Sequence, residues 1–235
     1  MLEKKGAAHF EMIISFVFFV TFIFFLFVFL KPYSTATISG AVVTGLYDSL
    51  DKQVRTELTN LFVEVGNYSN NLNDCFYVDF EERIFTYALT QSIVKTVEDV
   101  KVNSDAGVSN LKINNSLNNR SYYKVAISPV FLDENLSGCF NVSDYNHGDI
   151  LERRVWSYNS LQAVSLRYKT DYDGLREDMK IPETFDFAVV SEDLPELNME
   201  SIIPDSGDVI ANQYILEVLY SNGDVVIAEF TLKVW

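Results

Sequence analysis

Residues 213–235 read QYILEVLYSNGDVVIAEFTLKVW, two apolar-rich runs separated by Ser221-Asn222-Gly223-Asp224. Asn-Gly supplies the positive φ angles of a tight turn, so Gln213–Tyr220 and Val225–Trp235 read as a β-hairpin. In the second run Phe230, Leu232 and Val234 share one face and Glu229, Thr231 and Lys233 the other. That alternation has the two-residue period of a half-buried strand. The C-terminal end therefore predicts an antiparallel sheet with one face in a core.

The same signature recurs upstream. Leu61–Val65, Phe76–Phe80, Tyr122–Ser128, Phe140–Val142, Ile150–Trp156 and Phe185–Val190 are short, rich in β-branched or aromatic residues, and bounded by Asn, Gly, Asp or Pro. Residues 83–102 fit strands or a helix equally. The Asn-rich stretch 103–121 reads as a loop with one strand near Val108–Ile113. Tyr158–Tyr168 and Asp171–Met179 read as two short helices ended by Pro182. Before the strands, Val43, Tyr47, Leu50, Val54, Leu58 and Leu61 recur at helical spacing, which predicts an amphipathic helix over about Ser39–Thr59. Together these elements predict an α+β domain dominated by antiparallel sheet.

Met12–Leu30, MIISFVFFVTFIFFLFVFL, is of another kind: 17 of its 19 residues are apolar, none is charged, and it holds eight of the chain's 18 Phe. At ~1.5 Å per residue it reaches roughly the thickness of a bilayer's hydrocarbon core. The expectation is an N-terminal transmembrane helix, with Lys4 and Lys5 keeping the N-terminus cytoplasmic and everything from Pro32 onward extracytoplasmic. The net charge of the chain is −15, and the five charges before Pro32 (Glu3, Lys4, Lys5, Glu11, Lys31) sum to +1, leaving −16 on the remainder. Such acidity argues against nucleic acid as a partner, since phosphate neutralisation needs basic surface.

Lys4-Lys5-Gly6, then Ala7-Ala8-His9-Phe10-Glu11, then the apolar run, resembles the class III signal peptide of type IV pilins, most closely that of archaeal pilin-like proteins. Bacterial pilins usually begin their mature chain with Phe, and here the position is Ala7. The resemblance covers residues 1–31. It implies cleavage by a prepilin peptidase between Gly6 and Ala7, and a role for Glu11 as an assembly charge facing the N-terminal amine of a neighbouring subunit. The expected organisation is a leader at 1–6, a transmembrane and assembly helix at 7–31, a membrane-proximal amphipathic helix at 32–60 and a β-rich ectodomain at 61–235. The partners so implied are the prepilin peptidase, the lipid bilayer and like subunits. The alternative is a single-pass anchored binding domain that does not polymerise.

Cys75 and Cys139 open two similar tetrads, Cys75-Phe76-Tyr77-Val78 and Cys139-Phe140-Asn141-Val142. They read as a disulfide closing a loop of about 65 residues, worth ~4 kcal/mol on the chain-entropy model, or as two separate buried thiols. Five N-x-[ST] sequons, at Asn67, Asn114, Asn119, Asn135 and Asn141, mark candidate glycosylation sites on a surface protein. The sequence contains no nucleophile elbow, phosphate-binding loop, H-E-x-x-H or C-x-x-C, so no enzyme, metal or cofactor role is expected. His147 amid Asp144, Asp149 and Glu152 reads as a solvated turn, and Asp171, Asp173 and Gly174 as a helix start rather than a calcium loop.

Overall fold

A computed structural model describes residues 3–29, 35–66, 75–80, 91–107, 109–114, 121–132, 136–200 and 209–235, with side chains placed at 11–26 and from 40 onward within those ranges. The chain divides into two compact units, Met1–Val42 and Val43–Trp235. The second unit is mostly sheet. Its described strands are β1 (Arg55–Val65), β2 (Cys75–Asp79), β3 (Gln91–Thr96), β4 (Lys101–Ala106), β5 (Asn110–Asn114) and β6 (Ser121–Ser128). They continue with β7 (Phe140–Val142), β8 (Tyr145–His147), β9 (Leu151–Ser157), β10 (Phe187–Val190), β11 (Ile210–Leu219) and β12 (Val225–Val234). The helices are α1 (Glu3–Phe29), α2 (Thr35–Val54), α3 (Tyr158–Thr170) and α4 (Tyr172–Asp178).

The C-terminal hairpin forms as its pattern requires. β11 and β12 pair antiparallel from Ile210↔Val234 to Leu219↔Val225. Ala228, Phe230, Leu232 and Val234 are buried while Ile227 is 70% exposed. In the turn only Gly223 takes a positive φ, 84°; Asn222 does not. Its side chain instead accepts from the Asp224 amide at 3.0 Å, the Asx-type bond that favours Asn in turns.

From this hairpin the strand order runs β10-β12-β11-β9-β1-β6-β3-β4-β5-β2-β7, with β8 beside β1. β4 is the corner: Lys101 and Val102 pair with β3, and Asn103–Ala106 with β5. The strands beyond it, β5, β2 and β7, form a second layer over β1, β6 and β3. Leu61, Val63 and Val65 of β1, Tyr123, Val125 and Ile127 of β6, Phe76 and Val78 of β2, Leu111 and Ile113 of β5, and Val142 of β7 fill the space between.

The covered face of β1 changes along the strand, from Thr56 and Leu58 to Leu61, Val63 and Val65, and this corrects the expected helix boundary. Leu58 and Leu61, three residues apart, point to opposite faces of a strand. Leu58 joins Ile93, Phe131, Val155 and Leu219, and Leu61 joins the interlayer core. Their spacing imitates a helical stripe, but pairing of Arg55–Asn60 with β9 ends α2 at Val54. Within α2, Val43, Leu46, Leu50 and Val54 are fully buried, the period-3.6 pattern that the sequence displays. Tyr47 stacks on Tyr214 of β11 at 4.3 Å, and Asp51 accepts from the Trp156 indole at 2.8 Å.

Ser157 caps α3 by accepting from the Ser160 amide at 3.2 Å, and Tyr168 donates to the Phe187 carbonyl at 2.7 Å, fixing α3 against β10. Tyr172 donates to Asp186 at 2.9 Å; burial, and then that carboxylate, raise its pKa. Asp171 accepts from the Gly174 amide at 3.2 Å and is the N-cap of α4, so the Asp171-Asp173-Gly174 stretch is a helix start.

The first unit brings the main correction. Among the described residues no helix is long and apolar enough to cross a membrane. The expected transmembrane helix is therefore not supported. With it goes the expected single-pass localisation, N-terminus cytoplasmic and C-terminal domain extracytoplasmic. What stands of the expected fold is its β-rich part, with two parallel pairings, β2 with β7 and β9 with β11, among antiparallel ones.

Candidate functional site

Three places in the molecule carry residues that the sequence singles out. The first is helix α1, which contains Gly6, Ala7 and Glu11 in one continuous helix from Glu3 to Phe29. Gly6 and Ala7 have no described side-chain environment. Glu11 is exposed, and it follows Ala7 by four residues, one helical turn. Beyond it, twelve large apolar residues from Met12 to Phe25 are exposed, Met12 and Phe18 at 72% and Phe24 at 69%. They fill every position from 12 to 25 except Ser15 and Thr21, so they lie all around the helix and not along one stripe. Thr21 does not interrupt this surface, because its hydroxyl donates to the Val17 carbonyl at 2.7 Å.

The second place is the layer β5-β2-β7. The two tetrads that begin with Cys75 and Cys139 lie side by side in parallel register, Phe76↔Phe140, Tyr77↔Asn141 and Val78↔Val142. This sets the cysteines opposite each other, and they are joined in a disulfide with Cα atoms 4.6 Å apart. The similarity of the tetrads was the visible signal for that pairing: alternate positions turn the same residue types inward on both strands. Phe76, Val78 and Val142 face the core, and Tyr77 and Asn141 face outward. Of the five sequons, Asn114 and Asn141 are described and both are exposed. Asn67, Asn119 and Asn135 lie outside the described residues.

The third place was not legible in the sequence. It is a depression of about 270 Å³ on the face of the main sheet opposite the second layer, lined among others by Phe62, Ile93, Lys95, Lys124, Arg153 and Gly223. Three cations in so acidic a chain suggest an anion site, but each is already paired. Lys95 lies 2.7 Å from Asp224, Lys124 2.8 Å from Asp99 and Arg153 2.6 Å from Glu217. The hydrogen bond from Lys124 holds the Asp99 carboxyl below the usual range, and that from Lys95 does the same for Asp224. The site is electrically balanced, with no surplus positive charge for a ligand.

Among the described residues no group of three His, Cys, Asp or Glu could hold a metal ion. His147 lies edge-on to Phe80 at 5.8 Å between ring centroids, not among converging carboxylates. Comparison of the chain with protein-family models, with curated proteins and with solved structures finds no match in any of the three.

Proposed function

We propose that this chain is a non-catalytic, pilin-like subunit that assembles with like subunits through helix α1 and displays the sheet domain. One observation carries the reading: the exposed apolar surface of α1 from Met12 to Phe25, in which only Ser15 and Thr21 are polar. A contiguous apolar surface of this extent marks an interaction site. Burying twelve such side chains at ~1.5 kcal/mol each is worth on the order of 18 kcal/mol, above the ~4–15 kcal/mol cost of association. A helix without a polar face suits a bundle in which it is surrounded, rather than one groove.

The order Lys4-Lys5-Gly6, Glu11, apolar run supports the pilin-like form of this reading. Cleavage after Gly6 by a prepilin peptidase frees an amine on Ala7. Glu11 then supplies a carboxylate at the edge of the apolar surface, where an unpartnered charge is costly and a neighbour's amine would offset it. N-terminal mass analysis after co-expression with a prepilin peptidase tests the reading: a mature chain starting at Ala7 is expected, and an intact Met1 end counts against it. The variant Glu11→Ala should still be cleaved yet fail to enter an assembly, and normal incorporation would refute the charge pairing.

A further inference from the structure

The outward face of the second layer carries two aligned rows. One runs Asp105, Lys112, Tyr77, Asn141 across β4, β5, β2 and β7, and the next runs Asn103, Asn114, Cys75 toward the disulfide. Asn114 and Asn141 are the two described sequon asparagines, and both fall on this face. With strands ~4.8 Å apart and ~6.8 Å per two residues, they stand roughly 12 Å from each other. Their nearness follows only from the strand order, since β2 lies between β5 and β7.

At Asn141 the strand also arranges the motif. Val142 is fully buried, whereas Asn141 and Ser143 on either side of it are exposed. Alternation thus puts the acceptor amide and the hydroxyl two residues on together on the solvent side, the pair of groups that define the sequon. Among the described residues β7 also ends the strand order. It is three residues long, and so short an edge offers little for another strand to add to.

We infer that Asn141 and Asn114 are N-glycosylated. In the transfer, Asn Nδ2 forms a bond to the anomeric carbon of a sugar activated by a phosphate leaving group. The anomeric C–O bond breaks, the phosphate leaves with the electron pair, and a transferase base takes the amide proton. The Cys75–Cys139 disulfide agrees with an oxidising compartment. The inference is independent of cleavage after Gly6.

The test is glycopeptide mass spectrometry on the full chain purified from its own host. Glycan on the peptides holding Asn141 and Asn114 is expected, and an unmodified Asn141 overturns the inference. Asn141→Gln and Ser143→Ala should each remove the same single glycan mass, the second with Asn141 still in place.

Discussion

Helix α1 and the sheet domain are both rich in Phe and β-branched residues, and they dispose of them in opposite ways. In α1, Phe18 is 72% and Phe24 69% exposed; in the sheet domain Phe76 and Phe187 are fully buried and Phe230 is 1% exposed. The difference lies in patterning. β12 alternates apolar and polar positions, so one face closes on a core while the other stays wetted. Met12–Leu26 has no polar face to leave outside, so intramolecular packing against one side cannot satisfy it. The same side chains build a core in one unit and stay exposed in the other.

Phenylalanine truncation separates the two regions most sharply. Phe76→Ala should cost about 3–5 kcal/mol, the range for emptying a packed aromatic site, read as a fall in the urea midpoint. Phe18→Ala should leave that midpoint within about 0.5 kcal/mol and weaken association instead. Equal losses of stability in both variants would erase the contrast. Next in size is the disulfide: Cys139→Ser should lower stability by ~2–4 kcal/mol, with faster hydrogen exchange in β7 and β2 and none of this in α1. Unchanged exchange in β7 would mean that Phe140 and Val142 hold the strand without the covalent tie.

Gly223→Ala probes the hairpin turn. Gly223 sits at φ 84°, and an added Cβ would lie 3.1 Å from Ile93. A loss of about 1–3 kcal/mol is expected from strain at a position that L side chains avoid, and a neutral result would show that the turn adjusts. The smallest effect concerns acid. The folded pKa values of Asp99 and Asp224 lie below their unfolded values, so their stabilisation is present above about pH 4 and fades as the pH falls through the folded values. Both carboxylates are largely exposed, and salt screens such pairs. Lys124→Met should narrow the gap between the urea midpoints at neutral and acid pH. An unchanged gap would remove the Asp99 pair from the account of acid stability.

Features set by neighbours in sequence could be read directly. The hairpin around Gly223, the Asp171 cap and helices α3 and α4 depend on turn chemistry, capping and period within about ten residues. Where reading failed, spacing was ambiguous between two structures. Leu58 and Leu61 continue the stripe of α2 by distance alone, yet they belong to a strand whose buried face changes between them. At the end of β9, Val155 and Trp156 are adjacent and both buried, so alternation vanishes where both sides are covered. The paired cations at Lys95, Lys124 and Arg153 were invisible because their carboxylate partners come from other strands and turns.

By itself the sequence determined the local elements, the candidate assembly helix with its Lys4-Lys5-Gly6 and Glu11 order, and which residues seek a core. Only the tertiary structure decided that the two cysteine tetrads run parallel, that Asn114 and Asn141 share an outward face, and that α2 yields to β1 at Arg55. The physical reason is that periodicity and capping act through the chain, whereas strand register is chosen by partners far away in it, with each pairing evaluated against the burial of the whole face.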